Sequence, residues 1–440
     1  MSLPPSLTAY RALIRLAAPI APYLLNHRAR RGKEDTARLN ERLGRPTITR
    51  PEQTLVWMHG ASVGESLVLA SLVDEMSGRD PALRFLVTTG TTTSAELMSK
   101  RLPSTAMHQY LPVDTLSAVE GFLSHWRPDL AVFAESEIWP NLIIETARRG
   151  TPMALVNARM NARSLQNWRK RPDTARWLLS CFDWIGAADH QTRDGLEDLL
   201  GEHVTLAGNL KLEAKPAPPD AHELSRAKVA AAGRPVWLAA STHEGEEARV
   251  LDAHARILAD KPDALLVLAP RHPDRGDAVA RMIKQHKLSA VRRSRDDIPT
   301  GDHEVWLADT LGEMQIWFHL SPVALICGSL KDGIGGHNPV EATHADCAVL
   351  TGPHVASFDD LYAAYRAERA AEEVSSAEEI ANAVLRSWTG QGPQIDTARQ
   401  VLSRASGGAM ASTLEALFDL LAPRDDDTPD LIPGPHGSRS

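Results

Sequence analysis

Hydrophobic residues in the first half of the chain alternate between short continuous runs and longer stretches with helical spacing. The runs at 54–59, 84–89, 130–134, 153–156, 184–187 and 204–207 are rich in aliphatic residues and predict strands. Segments between them, such as 66–76 and 141–149, carry apolar residues three and four positions apart, the spacing of one helix face. Fully apolar strands that alternate with helices are typical of a parallel sheet covered on both faces.

The same rhythm restarts after a proline-rich segment. Ala214-Lys-Pro-Ala-Pro-Pro-Asp220 holds three prolines in seven residues, and proline continues neither a helix nor a central strand. Beyond it, the runs at 235–240, 264–269, 305–308, 323–327 and 348–351 predict a second set of strands. The pattern predicts an α/β protein with two Rossmann-like domains facing a cleft, and with ligands bound by the loops that follow the strands.

Chain length, net charge and the cysteines restrict the number of domains, the class of partner and the kinds of cysteine site to be expected. With 440 residues the chain is too long for one ordinary core and suits two domains of about 150–200 residues. Its net charge of −8 provides no basic field, so no nucleic-acid partner is expected. Cys181, Cys327 and Cys347 are odd in number and widely spaced, which predicts neither a disulfide framework nor a CxxC metal pair.

The N-terminal segment is the nearest approach to a membrane helix. Residues 7–25 are largely apolar, but two arginines and two prolines interrupt them, so the run is too short to span a bilayer. A basic cluster at 28–33 follows at once. This combination favours a helix that lies on an anionic membrane surface, although an ordinary packed helix with a solvated basic end has the same composition.

Three segments of the first half place reactive side chains after predicted strands. Glu65 falls in the first turn of a helix, where it either complements the helix dipole or accepts a proton from an attacking hydroxyl. Glu135 and Glu137 close another strand and, if extended, point to the same face; the alternative is a solvated loop with Asn141 capping the next helix. Lys211 follows the last strand, where it is either solvated or neutralises a phosphate near the cleft.

Three segments of the second half suit an anionic nucleotide. Arg271 follows a strand in a loop fixed by prolines, and residues 309–314 turn into a helix whose free N–H groups can face a base or phosphate. A surface arginine and an ordinary capped helix are the plainer interpretations. The most specific segment, 328–341, has four glycines that let backbone N–H groups converge on a phosphate. At the end of this segment, Asn338 is predicted to be the N-cap residue of the next helix. Glu341 is predicted either to complete a capping box or to accept hydrogen bonds from ribose hydroxyls.

The segment Ser241-Thr-His-Glu-Gly-Glu-Glu247 begins another helix of the second half. It is not a zinc-binding HExxH motif, because position 247 is Glu and not His. The other histidines show no spacing that indicates a metal site, and most are expected to be exposed or hydrogen-bonded within the fold.

Together and in this order, the segments resemble the bacterial transferases of 3-deoxy-D-manno-octulosonic acid (Kdo) in lipopolysaccharide synthesis. The resemblance extends from about residue 41 to residue 407. It is carried by six landmarks: Ser62-Val-Gly-Glu65, Glu135-Ser-Glu-Ile-Trp-Pro-Asn141, Asn157-Ala-Arg-Met160 with Arg163-Ser164, Ser241-Thr-His-Glu-Gly-Glu-Glu247, Pro270-Arg-His-Pro273 and Gly335-Gly-His-Asn-Pro-Val-Glu341.

The resemblance implies a GT-B fold with the active site between its two Rossmann-like domains. It implies that Glu65 is the general base and that Glu135 and Lys211 help to stabilise the transition state. It also implies that nine residues hold the CMP part of the donor: Pro270, Arg271, Leu311, Gly312, Glu313, Asn338, Pro339, Val340 and Glu341.

The expected organisation has six parts. They are a membrane-associating segment at 1–40, an acceptor domain at 41–213, a linker at 214–222, a CMP-Kdo-binding domain at 223–408, a C-terminal helix at 409–422 and a disordered tail at 423–440.

The implied reaction moves Kdo from CMP-Kdo to a lipid A precursor, lipid IVA, at the cytoplasmic face of the inner membrane. The chain is expected to attach peripherally or weakly through its N-terminus. Transfer without a metal ion or cofactor is expected, because CMP leaves as a monophosphate and no DxD pair closes a predicted strand. Two other functions fit the same pattern, namely chemistry on a UDP-sugar and non-catalytic sensing of a nucleotide sugar. The sequence leaves the oligomeric state open.

Overall fold

The chain folds into two compact α/β units. A computed structural model describes residues 2–422 except 215 and 217. The first unit contains the chain up to Ala214 and again from Ser406, and the second unit ends at Ala405. The predicted tail at 423–440 and part of the predicted linker lie outside the described residues.

The first unit contains a parallel sheet with helices on both faces. Its strands are β1 (Leu55–His59), β2 (Arg84–Thr89), β3 (Ala106–Tyr110), β4 (Leu130–Ala134), β5 (Met153–Ala158), β6 (Trp184–Ala187) and β7 (Thr205–Leu206). Its helices are α1 (Pro5–Ala17), α2 (Ala21–Ala29), α3 (Leu39–Arg42), α4 (Val63–Arg79), α5 (Thr92–Arg101), α6 (Leu116–Trp126), α7 (Pro140–Arg148), α8 (Ala162–Arg169), α9 (Pro172–Leu179), α10 (His190–Leu200) and α11 (Leu210–Glu213), with α20 (Ala409–Leu421) added from the C-terminal end. The strand order is β3-β2-β1-β4-β5-β6-β7.

Alternate residues of β1 pack in two different hydrophobic clusters, which shows that the sheet is covered on both faces. Leu55 and Trp57 pack in one hydrophobic cluster, whereas Val56 and Met58 pack in another. All four side chains are buried. A central strand can therefore be apolar throughout, because successive side chains point to opposite, equally buried faces.

The second unit repeats the architecture. Its strands are β8 (Val236–Thr242), β9 (Leu265–Pro270), β10 (Ala290–Arg292), β11 (Val305–Leu307), β12 (Val323–Ile326), β13 (Ala348–Thr351) and β14 (Ala371–Glu373). Its helices are α12 (Ala221–Ala231), α13 (Glu247–Asp260), α14 (Gly276–Gln285), α15 (Met314–Leu320), α16 (Val340–His344), α17 (Asp359–Ala367), α18 (Ala377–Trp388) and α19 (Ile395–Ser406), the last of which ends at the unit boundary. The strands are parallel, in the order β10-β11-β9-β8-β12-β13-β14.

In both sheets the chain order reverses direction beside the first strand. The reversal lies between β1 and β4 in the first unit and between β8 and β12 in the second. Ligands of doubly wound sheets bind outside the carboxyl ends of the strands at such a switch point. A binding site is therefore expected at the loops that follow these four strands.

The C-terminal helix α20 packs within the first unit. Leu414 and Leu417 are buried in the same cluster as residues of α4. The chain passes close to itself at Gly208, where a Cβ atom would come within 2.1 Å of the Ser406 carbonyl oxygen. Gly208 also has φ of +97°, so only glycine suits this position.

Most predicted strands are present within one or two residues of their expected ends, and the prediction of two Rossmann-like halves is confirmed. Three edge strands, β3, β10 and β14, were not predicted. Among the described residues, none of the helices combines the length and hydrophobicity needed to cross a bilayer.

Candidate active site

Glu65 lies at the start of α4, just beyond the carboxyl end of β1. Its Oε2 accepts the N–H of Ala61 at 2.7 Å, and its Oε1 accepts the hydroxyl of Ser62 at 2.5 Å. Ser62 is the N-cap residue and accepts the Glu65 N–H at 3.3 Å. The residue is 8% exposed. Glu65 therefore lies in the first turn of α4, and both alternatives predicted for it, complementing the helix dipole and accepting a proton, fit its position.

Glu135 and Lys211 form an ion pair within the first unit. Glu135 follows β4, and its Oε1 contacts the Nζ of Lys211 on α11. The Asn157 amide donates to the same Oε1 at 3.4 Å, and the Asn157 Oδ1 accepts the N–H of Leu210 at 2.8 Å. The Lys211 side chain lies beside Gly64, 3.5 Å from the place of its missing Cβ. These contacts bring the ends of β1, β4 and β5 together around one lysine.

Two residues of this cluster have left-handed backbones. Glu135 has φ of +57° and Asn157 has φ of +51°. The left-handed region is unfavourable for a residue with a Cβ, and such strain concentrates at functional sites. The expectation that Glu135 and Glu137 share a face of an extended strand is therefore wrong, because the chain turns at Glu135.

Glu137 is held by donors of its own. His59 Nε2 lies 3.2 Å from its Oε2, and the Trp139 indole donates to the same oxygen at 2.8 Å. The other ring nitrogen of His59 lies 3.0 Å from the Thr88 carbonyl oxygen. Burial raises the pKa of Glu137, but the His59 and Trp139 hydrogen bonds outweigh it and leave this pKa below its ordinary value.

The start of α7 is capped from outside by Asp114. Its carboxylate accepts the N–H groups of Asn141 at 3.1 Å and Leu142 at 2.9 Å, and Tyr10 of α1 donates to it at 2.8 Å. Burial raises the pKa of Asp114 to about 6 against these donors. The alternative in which Asn141 caps α7 is wrong, because Asn141 lies inside the helix and its amide donates to the Asp114 carbonyl oxygen at 2.6 Å.

In the second unit, a pocket of about 320 Å³ lies at the carboxyl ends of the strands. Its walls are formed by the ends of β8, β9 and β12, by the loops after β9, β11 and β12, and by residues of α15 and α16. Of the nine residues predicted to hold CMP, six line the pocket: Pro270, Arg271, Leu311, Gly312, Asn338 and Glu341. The structure thus brings together side chains that are up to 71 positions apart in the sequence, from Pro270 to Glu341.

The other three predicted residues are not part of the lining. Glu313 instead accepts a hydrogen bond from Arg293, whose Nη2 donates to its Oε1 at 2.6 Å. Pro339 and Val340 are buried. Arg271, in contrast, makes no ion pair with any residue in the described part of the chain and is exposed. Its guanidinium is therefore the group best placed to meet an anion.

The predicted capping box at Asn338 and Glu341 is not formed. The N-cap residue of α16 is Pro339, and Asn338 Oδ1 accepts the N–H of Val340 at 3.0 Å. Glu341 instead accepts the amide of Gln315 at 2.9 Å. Burial raises the pKa of Glu341, although the Gln315 hydrogen bond opposes it. The Glu341 carboxyl group consequently lines the pocket and does not cap the start of α16. This position fits the other predicted role of Glu341, which is to accept hydrogen bonds from ribose hydroxyls.

Several lining residues were not identified from the sequence as site residues. They include Ser241, Thr310, Trp317, Phe318 and His337. The sequence could have indicated two of these residues, because Ser241 and His337 lie within the segments that carry the resemblance to the Kdo transferases. The aromatic pair gave no local signal, because its helical spacing is equally typical of a buried core.

Comparison with known proteins places the chain. It is 33% identical over 373 residues to the 3-deoxy-D-manno-octulosonic acid transferase of Rickettsia bellii, which covers 85% of this chain and 88% of that protein. It is 30% identical over 422 residues to the transferase of the same name from Haemophilus influenzae, covering 94% and 97%. A family model described as 3-Deoxy-D-manno-octulosonic-acid transferase (kdotransferase) matches residues 37–214. The chain belongs to the Kdo transferase family.

Membership of the Kdo transferase family makes the protein a glycosyltransferase and confirms the resemblance found in the sequence. The fold of this Kdo transferase is of the GT-B type. A UDP-GlcNAc 2-epimerase from Neisseria meningitidis has the same fold, with a TM-score of 0.55 at 14% identity over 84% of this chain and 99% of that one. The likeness at this identity concerns the fold alone.

Proposed function

We propose that this Kdo transferase moves Kdo from CMP-Kdo to a lipid A precursor of the lipid IVA type in lipopolysaccharide synthesis, without a metal ion. The observation that carries the proposal is the pocket of the second unit, where six residues expected to hold CMP line one space. The volume of about 320 Å³ falls in the range of small-molecule sites.

The chemistry of the pocket supports a nucleoside monophosphate. Arg271 offers a guanidinium that is free to form charge-assisted hydrogen bonds with a phosphate. Trp317 and Phe318 contribute aromatic lining that suits a base. Glu341 contributes a carboxyl group that can accept from ribose hydroxyls. Each part of a nucleotide thus has a partner of matching chemistry.

Glu65 is proposed as the general base. It takes the proton of the acceptor hydroxyl as that oxygen attacks the anomeric carbon of Kdo, and CMP leaves with the bonding electrons. Lys211, held by Glu135, is proposed to stabilise the charge that develops in the transition state. A leaving group with a single phosphate needs less cationic help than a diphosphate, which supports transfer without a metal ion.

The surface of α1 and α2 supports attachment to a membrane. Leu13, Leu16, Ile20, Tyr23 and Leu24 are between 55% and 81% exposed. The basic cluster at 28–33 follows them directly. Apolar side chains beside basic ones suit the interface of an anionic bilayer. We therefore propose peripheral attachment at the cytoplasmic face of the inner membrane, where the lipid precursor is available.

The direct test is to incubate the full chain with CMP-Kdo and tetraacylated lipid A precursor in the presence of EDTA and to measure the product mass. A mass increase by one or more Kdo units is expected. Transfer only after addition of a divalent metal would contradict metal independence, and no transfer under any condition would contradict the proposed donor or acceptor.

Arg271→Ala is expected to weaken CMP binding by about 30–100-fold, because it removes charge-assisted hydrogen bonds to the phosphate. Calorimetric titration with CMP measures the effect, and titration with cytidine should show little change. Arg256→Ala is the matched control, since Arg256 is an exposed arginine of α13 outside the pocket lining. Equal losses for CMP and cytidine would show that Arg271 does not bind the phosphate.

The double replacement Leu16→Asp and Tyr23→Asp is expected to reduce binding to phosphatidylglycerol vesicles by about tenfold or more, because it removes apolar area and adds repulsive charge. Vesicle co-sedimentation measures the partition. Val229→Asp is the control, since Val229 is 77% exposed on the second unit. Unchanged sedimentation of the double variant, or an equal loss with Val229→Asp, would refute attachment through α1 and α2.

A further inference from the structure

Two histidines at the pocket share a hydrogen bond that the proposed transfer of Kdo does not use. His337 lines the pocket, and its Nε2 lies 2.9 Å from the Nε2 of His243. One nitrogen must carry the proton and the other must accept it, because a neutral imidazole has one donor and one acceptor nitrogen. The His243–His337 pair therefore holds one proton between two bases at the edge of the pocket.

Buried groups fix this pair in place. Glu246 is 1% exposed, and its Oε2 accepts the backbone N–H of His243 at 2.9 Å and the backbone N–H of Gly328 at 2.8 Å. A Cβ at Gly328 would come within 2.8 Å of the His337 ring, and Tyr362 donates to the His337 carbonyl oxygen at 2.8 Å. Glu246 therefore ties the backbone of His243 to that of Gly328, and the absence of a side chain at Gly328 leaves room for the His337 ring.

Titratable and charged groups from three segments surround the pair: Glu246 and Glu247 after β8, Arg271 and His272 after β9, and Glu341 at the start of α16. Burial, followed by the effects of His243, Arg271 and His272, lowers the pKa of His337 to about 4. Burial also lowers the pKa of His243, although Glu246 opposes it. Without an anion beside it, the pair is therefore uncharged at neutral pH.

We propose that the His243–His337 pair takes up one proton when a phosphate monoester dianion enters the pocket, and that His337 then donates a hydrogen bond to this phosphate. The inference rests on the proposed function, in which CMP is the phosphate monoester. When the bond between Kdo and phosphate breaks, both electrons stay on the phosphate oxygen and the phosphate becomes a dianion. A proton from solvent, held on the pair, offsets the added charge and returns to solvent when CMP leaves.

The direction of the pH dependence follows from the charges. A dianion beside the pair favours the imidazolium form and raises the pKa of His337, opposing the effect of Arg271. Binding is then coupled to proton uptake, so the affinity for CMP falls as the pH rises, by up to about tenfold per pH unit. Cytidine has no phosphate and should show neither effect.

The test is calorimetric titration of the full chain with CMP at about pH 7.5 in buffers of different ionisation enthalpy, which counts the protons taken up. At this pH the phosphate is already mostly a dianion, since its second pKa is about 6. Wild type is expected to take up about one proton per CMP and none with cytidine. His337→Gln and His243→Asn should each abolish the uptake and weaken CMP binding by about tenfold.

His272→Asn is the matched control. Its ring lies 5.9 Å from that of His243, is exposed, and makes no hydrogen bond to the pair among the described contacts. This variant should retain the uptake. Binding of CMP by wild type without proton uptake would overturn the inference and leave the proposed function standing. Uptake that persists in both His337→Gln and His243→Asn would also overturn it. No binding of CMP by wild type would contradict the proposed function itself.

Discussion

Glu65→Gln is expected to lower the rate of Kdo transfer by about 10²–10⁴-fold while CMP affinity stays within about twofold. Glutamine keeps the size and reach of the side chain but cannot take the proton of the acceptor hydroxyl. Glu65 belongs to the first unit and the CMP pocket to the second, so the replacement leaves the pocket lining intact. Product mass against time measures the rate, and calorimetry measures the affinity.

Ser62→Ala separates the two roles that Glu65 has in the structure. Ser62 caps α4 and donates to the Glu65 carboxylate, so the replacement disturbs the helix start and keeps the base. We expect a loss of about 1 kcal/mol in the free energy of unfolding and a rate loss below about tenfold. Equal rate losses in both variants would mean that the capped helix start, and not proton transfer, accounts for the effect. A Glu65→Gln rate above one tenth of wild type would remove Glu65 as the base.

The central strands of both units could be predicted because burial on two faces leaves a continuous apolar run. The strands β2, β4, β6 and β13 have the predicted ends. An edge strand has one neighbour and needs less apolar surface. In β3, Ala106–Tyr110, three of the five residues are only half-buried, and His108 and Gln109 break the apolar run. Such a segment is indistinguishable from a loop until its partner strand is known.

The candidate site was predicted where a reactive residue directly follows a strand. Arg271, which follows β9, could be placed at the pocket in this way, because strand ends determine which loops meet. The orientation of the Glu341 side chain could not be predicted in this way. A capping box is a local expectation, whereas the Gln315 amide that holds Glu341 comes from a different helix.

The His243–His337 pair is a second contact that could not be predicted from local sequence. His243 and His337 are 94 residues apart in the sequence, and neither has a neighbour at metal-binding spacing. The four glycines before Asn338 indicated that backbone or ligand must approach closely at that loop. Only the tertiary structure shows that one of them, Gly328, makes room for a histidine ring.

Lys211→Met is expected to reduce transfer by about 10²-fold, because it removes the positive charge proposed to stabilise the transition state and keeps the apolar stem of the side chain. Glu135→Gln is expected to reduce transfer by about tenfold, because Glu135 is proposed to act by holding Lys211 in position through their ion pair. Rates under saturating CMP-Kdo measure both effects. Lys100→Met, which breaks an exposed pair with Glu96, is the matched control and should leave the rate unchanged.

The double variant Glu135→Gln with Lys211→Met distinguishes positioning from independent action. If Glu135 acts through Lys211, the double variant should be no slower than Lys211→Met alone, because the lysine that Glu135 positions is already absent. Losses that multiply to about 10³-fold would show that the two side chains contribute separately. A Lys211→Met enzyme as fast as the Lys100→Met control would mean that the ion pair only offsets the energetic cost of the left-handed backbone at Glu135.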